Sequence, residues 1–318
     1  SEHVMIALTR EPTPDELASI RRECENLDVE LASFRESKKR PCNLHEALQG
    51  KIPEALAGSL PRSFDIIGDI AVIDVPEELA ELEEVLGNAI IALNPRVRLV
   101  LRKLGRTLGT YRTREYDRMA GHGGTETIHT EFSCRYQLDV ASVYFNPRLS
   151  HERMRVAKQV KQGEVVVDMF AGVGPYSILI AKRQPQARII AIDINPEAYN
   201  YLEENILLNG VADRVTPLLG DSKQFSGKLG GAADRIIMNF PSAAKEYLGA
   251  AVQMLSKNGG TIHYYAFCQR DESVLGIEVT VRSMIESYGR KIESFTHGRI
   301  MKEVAPNRAQ VALDIHVF

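Results

Sequence analysis

Residues 164–182, EVVVDMFAGVGPYSILIAK, run as a short apolar strand into Asp168, Phe170 and the turn Gly172-Val173-Gly174, with a helical pattern after it. Glycines in that place let the backbone approach a ligand, or let strand and helix pack closely. Asp193 ends the next strand about 20 residues on, where a carboxylate accepts both hydroxyls of an adenosine ribose, and Ile194 and Asn195 continue the same loop. A dinucleotide is disfavoured, because Ser177 stands where GxGxxG has its third glycine and Pro175 removes an amide that a pyrophosphate would use. S-adenosylmethionine carries no phosphate, so it is the expected cofactor. Asp168 would reach its ammonium group directly or through water. Asp221, after the third strand, suits the adenine amino group and equally suits a helix cap. Tyr144 and Phe170 would pack along the cofactor or serve as core.

A second constellation follows the fourth strand, RIIMNF. Ligands of doubly wound sheets bind beyond the carboxyl ends of the strands, which puts Asn239 of Asn239-Phe240-Pro241 beside the reacting sulfonium. An amide there hydrogen-bonds the edge of a planar base. The alternative is a plain turn that ends the strand.

The elements that must carry these residues alternate regularly beyond Asn146. EVVVDMF, ARIIAIDI, VTPLLGD and ADRIIMNF read as strands, GPYSILIAKR and PEAYNYLEENILLNG as helices, the second stopped by Gly210. GGTIHYYAF, a helix near 276–288 and two closing strands complete the chain. Strand and helix in alternation imply a parallel sheet covered on both faces, and a late antiparallel pair gives the layout of class I methyltransferases, which this half resembles. Before it, SFDIIGDIAVIDVP reads as a hairpin and EELAELEEVLGNAIIAL as a helix, a smaller α/β domain. TIHTEFSCRYQLDVASVYF is β-rich, and Ser150 is placed to cap the helix beginning near His151. The expected division is 1–55, a short N-terminal segment with one helix from Pro14 to Asn26; 56–146, an α/β RNA-binding domain; and 147–318, the Rossmann-like catalytic domain.

Composition narrows the function classes. In 318 residues, 44% hydrophobic and 25% charged, a net charge of −3 gives no global sign of a polyanion partner, so any nucleic-acid surface must be local. Cys24, Cys42, Cys134 and Cys268 form no CxxC pair, so neither a zinc site nor a disulfide framework is expected. Those thiols, the lack of an apolar run of roughly 18–20 residues, and an N-terminus without signal-peptide layout point to a cytoplasmic protein with no membrane partner.

YRTRE, GTETIHTEF, VYFNPRLSHER, VVVDMFAGVGPYSI, AIDINPEAYNYLEENILLN and IIMNFP, spread over residues 111–241, together resemble the archaeal and eukaryotic tRNA (guanine-N1)-methyltransferases. These act on the guanine just 3′ of the anticodon. LPRSFDIIGDIAVIDVP extends the resemblance to about residue 60, and the first 55 residues are not clearly matched. The resemblance implies Glu152 as general base for the N1 proton, Asn239 as the amide that positions the base, and Arg112, or else Arg114, beside guanine O6. The chemistry agrees. N1 carries a proton at neutral pH, a positioned carboxylate assists its removal by roughly 10²- to 10⁴-fold, and a guanidinium at O6 opposes the charge that develops there. No metal is required.

RNA would be held by the basic window 96–118, with Arg96, Arg98, Arg102 and Arg114, and by Arg148 near the domain junction. The expected partner is tRNA, bound through its anticodon stem-loop and body by a monomer. Three rivals stand beside this reading. One is a wyosine-pathway transferase acting at the same position, by methylating a wyosine precursor or transferring the aminocarboxypropyl group. The aminocarboxypropyl relative is expected to lack the Asn-x-Pro turn. The others are a nicotinamide-dependent oxidoreductase and a non-catalytic tRNA-binding protein.

Overall fold

A computed structural model describes residues 10–23, 41–109, 111, 113–269, 274–305 and 308–318. The chain separates into two units, Ser1–Pro41 and Cys42–Phe318. In the first, α1 (Pro14–Arg21) starts at a capping box, in which Thr13 Oγ1 accepts from the Glu16 amide at 3.4 Å and Glu16 Oε2 accepts from the Thr13 amide at 2.9 Å.

The second unit opens with α2 (Leu44–Leu48), a 3-10 turn over Glu54–Ser59, β1 (Asp65–Ile67), β2 (Ile70–Ile73), α3 (Glu83–Leu93), β3 (Leu99–Leu108) and β4 (Thr113–Gly121). Its sheet runs β1-β2-β3-β4, with β2 and β3 parallel across the α3 crossover. Side chains alternate between two cores, as a pleated strand requires. Ala71, Ile73 and Val100 face the helices with Leu44, Leu48, Leu86 and Ile90, while Ile70, Val72, Leu99 and Leu101 face the rest of the unit. Residues 42–59 therefore share this core, and the division drawn at residue 55 falls inside it.

The hairpin of β5 (Glu126–Glu131) and β6 (Cys134–Asp139) turns at Phe132 and Ser133, both with positive φ. After it come a 3-10 turn at Pro147–Leu149 and α4 (Ser150–Ala157). Ser150 is not the cap expected of it. Asn146 accepts from the Arg148 amide at 3.0 Å and starts the 3-10 turn, which runs directly into α4.

The catalytic half follows as β7 (Val165–Asp168), α5 (Pro175–Arg183), β8 (Arg188–Asp193), α6 (Pro196–Leu208), β9 (Val215–Leu219), α7 (Ser222–Phe225), β10 (Arg235–Met238), α8 (Ala244–Met254), β11 (Gly260–Gln269), α9 (Val274–Ser287), β12 (Ile292–Ala305) and β13 (Arg308–Val317). The sheet order is β12-β13-β11-β10-β7-β8-β9, parallel from β11 to β9 and antiparallel at β13. This is the doubly wound sheet with a late antiparallel pair that the alternation implies. Among the described residues, no helix is long and apolar enough to cross a membrane.

Two asparagines join the hairpin to this half. Asn205 Oδ1 accepts from the Gln137 amide at 2.7 Å and its Nδ2 donates to the Gln137 carbonyl at 2.9 Å. Asn209 repeats the pattern on Arg135, at 2.9 and 2.7 Å. One turn of helix and two residues of strand both advance about 6 Å, so α6 offers β6 a ladder made of side chains. Asn205→Ala strands the Gln137 amide and carbonyl in a buried interface. It should lower unfolding free energy by about 2–4 kcal/mol, read by urea melts, whereas Leu207→Ala, at a side chain 71% exposed, should leave the midpoint unchanged.

Candidate active site

The carboxyl ends of β7, β8, β9 and β10 open into a cleft of about 910 Å³, counted to its open mouth. Tyr144, Phe170, Gly172, Asp193, Ile194, Asn195, Asp221 and Asn239 line it, as expected from the sequence. Asp193 is fixed from both sides: Gly172 N donates to one oxygen at 2.6 Å and Asn195 N to the other at 2.9 Å. Burial pushes its carboxyl up, and each oxygen retains a lone pair for a hydroxyl donor. Asp221 caps α7 by accepting from the Lys223 amide at 2.9 Å and also stands on the cleft wall, a position open to both of its readings. Phe170, Phe240 and Tyr247 close the wall as an aromatic corner, with Phe170 centred 4.9 Å from each of the others.

The glycine turn divides its work. Gly172, at φ 55°, has only the Tyr144 carbonyl near the position of a Cβ, at 3.8 Å, so it keeps the wall low. Gly174, at φ 92°, would put a Cβ 2.6 Å from Leu202 Cδ1 and 2.8 Å from Ile178 Cδ1. It serves the packing of α5 on α6. Val173, expected at the cofactor, is completely buried in the core instead. Asp168 lies behind the cleft wall and is also fully buried. Its Oδ2 accepts from Ser177 Oγ at 2.8 Å, but its Oδ1 has no partner among the described residues. Burial pushes this carboxyl up to about 7. Its neighbours Met169 and Phe170 line the cleft, so a buried carboxylate with one oxygen still open stands a residue away from the wall, where an ammonium group could complete it.

A wider groove of about 2350 Å³ adjoins this cleft, and Tyr144, Phe145, Asn146, Leu149 and Asn239 line both. Among the described residues, nothing hydrogen-bonds the Asn239 side-chain amide. Four cations, Arg62, Lys103, Arg114 and Arg148, line the groove against two carboxylates, Asp65 and Asp74. Of the arginines expected to contact RNA, Arg114 and Arg148 line this groove, Arg148 also holding Asp65. Three other arginines of the basic window differ. Arg98 is used up inside the fold, donating to Asp69, to the carbonyls of His122 and Gly124, and to that of Glu126. Arg102 is held by Glu83 and Asp117, both at 2.6 Å. Arg96 is exposed but lines neither opening. Arg112 lies outside the described residues, although its neighbour Tyr111 lines the cleft.

Glu152, expected at the reacting base, is on neither wall and is 1% exposed. Arg155 grips both of its oxygens at 2.7 and 2.9 Å, Arg299 approaches to 3.4 Å, and Tyr265 Oη donates to it at 2.6 Å. Burial alone would raise its carboxyl, but these partners hold it below the usual range, so it is ionised. A line of hydroxyls links it to the cleft: Tyr176, on the wall, donates to Tyr265 at 3.2 Å. Arg153, an arginine near the domain junction in sequence, has a structural part instead: its fork holds Glu131 through two 2.6 Å bonds and its Nη1 holds the Asn146 carbonyl at 3.1 Å, fixing the shared wall. It adjoins Glu152 in SHER, but nothing in that spacing distinguishes a buried arginine from a solvated one.

The sequence model described as the TRM5/TYW2 methyltransferase domain matches residues 127–293, which include the strands β7 to β10 at whose carboxyl ends the cleft opens. The chain belongs to the TRM5/TYW2 methyltransferase family. A second family model, the TYW2 N-terminal domain, matches residues 44–125. Trm5b of Pyrococcus abyssi, named a tRNA (guanine(37)-N(1))-methyltransferase, is 44% identical over 290 residues, 91% of this chain and 84% of that one. Its crystal structure superposes with a TM-score of 0.79, again over 91% and 84% of the two chains. A complex of aTrm5 with tRNALeu is 32% identical with a TM-score of 0.75, covering 96% of this chain and 87% of that one. TYW2 of P. horikoshii in complex with MeSAdo is 32% identical with a TM-score of 0.72, covering 86% and 98%.

A TRM5/TYW2 methyltransferase draws its methyl group from S-adenosylmethionine, and the residues present fit that molecule: Asp193 for the ribose, Asp221 for the adenine amino group, Asp168 for the ammonium. With its carboxyl near 7 in the free protein, Asp168 is half protonated at neutral pH, and a bound ammonium would hold it ionised. Affinity for S-adenosylmethionine should therefore rise as pH increases from 6 to 7.5 and then level off. Calorimetry in buffers of different ionisation enthalpy should detect a proton released on binding below pH 7, and Asp168→Asn should abolish both effects.

Proposed function

We propose that this enzyme transfers a methyl group from S-adenosylmethionine to N1 of the guanine immediately 3′ of the anticodon in tRNA. The observation that carries this reading is Asn239: its amide, without a hydrogen-bond partner among the described residues, stands on the wall common to the cofactor cleft and the cationic groove, in a chain 44% identical to Trm5b. A base entering from the groove would meet that amide at the mouth of the cofactor cleft. S-adenosylmethionine supplies an electrophilic methyl carbon on its sulfonium. Asn239 orients the base edge, and Asp168 and Asp193 hold the two ends of the cofactor so that N1 approaches in line.

The N1 proton has a route inward. Tyr176 donates to Tyr265 and Tyr265 to Glu152, so a proton taken up at Tyr176 Oη is matched by one delivered to Glu152 Oε1. Glu152 is thus a base that acts through Tyr265. A cation at O6 is the part left to Arg112 or Arg114. The enzyme is taken to act as a monomer in the cytoplasm.

One observation favours a second reading, transfer of the aminocarboxypropyl group. Residues 44–125 match the TYW2 N-terminal domain, and the P. horikoshii tRNA(Phe) (4-demethylwyosine(37)-C(7)) aminocarboxypropyltransferase is 34% identical over 86% of this chain. The Asn239-Phe240-Pro241 turn favours methyl transfer. Incubation with S-adenosylmethionine labelled in the methyl group, or in the carboxyl group, and an unmodified tRNA transcript separates the two. Methyl label recovered in 1-methylguanosine supports the proposal, and carboxyl label in the RNA overturns it.

Glu152→Gln should slow single-turnover methylation by about 10²-fold or more. Because the Glu152 carboxyl lies below its usual range, the acid limb that it produces falls below about pH 4.5, and the wild-type chemical step should be flat from pH 6 to 8. A limb near pH 7 in that step, with saturating cofactor, would exclude Glu152 as the base. The substitution also leaves Arg155 and Arg299 without a counter-charge, so S-adenosylmethionine binding must be measured in parallel to show that the fold survives.

A further inference from the structure

The groove has a third feature that methylation of one guanine does not use. Gln310 is 4% exposed and lines the groove. Its backbone is paired in the β11–β13–β12 ladder, but among the described residues no group hydrogen-bonds its side-chain amide. The residue is largely enclosed, and its amide keeps its donors and acceptor for whatever occupies the groove. Directly opposite on β11 is Phe267, whose side chain shares the sheet face and lines the same groove. The Arg308 guanidinium sits over the Phe267 ring, 3.9 Å from its centroid. A flat aromatic ring, an exposed guanidinium and an amide with both donors and an acceptor are what proteins use to hold an unstacked nucleobase: stacking on its face and hydrogen bonds at its edge.

The corner is too far away to share the target base. Met238 pairs with Tyr264, which puts Asn239 level with Tyr265; Gln310 is two strands across from β10 and two residues further along. Strand spacing makes that roughly 12 Å between Cα positions, beyond a purine held edge-on by Asn239 and within reach of the adjoining nucleotide. We propose that Gln310, with Phe267 and Arg308, binds the base of an unpaired nucleotide flanking the target guanine, and so holds the RNA loop open while the guanine occupies the cofactor cleft. This rests on the proposed tRNA substrate.

The test is a double-mutant cycle on the holoenzyme. Wild type and Gln310→Leu, which keeps the bulk and removes the hydrogen bonds, are compared on intact tRNA transcript and on transcripts abasic at the nucleotide 5′ or 3′ of the target. Dissociation constants and single-turnover methylation rates are both measured. Wild type should bind one of the abasic transcripts about tenfold or more weakly. Gln310→Leu should bind the intact transcript several-fold more weakly than wild type and lose little further on that abasic one. Additive losses at both flanks, or a variant that binds intact tRNA like wild type, would overturn the corner. If Gln310→Leu fails to bind S-adenosylmethionine and so has lost its fold, Gln310→Glu, of the same shape, takes its place in the cycle: non-additive losses support the corner and additive ones overturn it. A wild type that binds transcript with base-dependent coupling at Gln310 yet methylates none would overturn the methyltransferase reading and leave the corner standing.

Discussion

A line of buried charges fixes where everything else stands. Glu152 and Arg155 of α4, Asp314 of β13, His263 of β11, Arg235 of β10 and Glu164 ahead of β7 form one continuous hydrogen-bonded chain. With Arg299 closing the Glu152 end, three carboxylates face three guanidiniums. His263 sits between Asp314 and Arg235, and because an arginine only donates, its Nε2 must accept and its Nδ1 must carry the proton. Burial lowers the tendency of this imidazole to charge, which agrees with the neutral tautomer. Buried ions tolerate no half measures: complete pairing is close to neutral in free energy, whereas one missing partner costs several kcal/mol. Only one seating of α4 on the sheet satisfies all of them.

That seating makes the two openings adjacent. The turn before α4 carries Tyr144 to Leu149, the wall that the cofactor cleft and the groove share, and Arg153 fixes it by gripping Glu131 and the Asn146 carbonyl. The paired positions of β11 and β13 extend the same logic outward in rows. His263 and Asp314 form the innermost row, Tyr265 beside Glu152 the next, and Phe267 with Gln310 the last, where the face reaches the groove. Charge balance inside, a hydroxyl line in the middle and open polar groups at the surface belong to one sheet face.

The catalytic half is legible in the sequence because its signals are local. Glycine turns, strand ends and their acids recur at fixed offsets, and Asp193, Asp221 and Asn239 stand where those offsets put them. The basic window is harder. Arg98 and Arg102 lie on or beside β3, yet their carboxylate and carbonyl partners, at Asp69, Glu83 and Glu126, come from other elements. One-dimensional charge density cannot separate an arginine that waits for phosphate from one already satisfied. Glu152 shows the same limit. The family resemblance implies a carboxylate facing substrate, and only the fold brings Arg155, Arg299 and Tyr265 around it. Gln310 gives no signal in the sequence at all, since its significance is the lack of a side-chain partner among the described residues.

The amide ladder between α6 and β6 bears on how the molecule ages. Asn209 is followed by Gly210, the pairing whose backbone nitrogen attacks an asparagine side chain most easily, because glycine offers no steric hindrance. Here that side chain is 7% exposed in context, held by both polar groups of Arg135 and by the Asn205 carbonyl. Deamidation therefore has to await the opening of the hairpin. Once it occurs, the carboxylate has no N–H to return to the Arg135 carbonyl and the ladder cannot fully re-form. The clip that fastens the hairpin is also a clock, which records how often the hairpin has come loose.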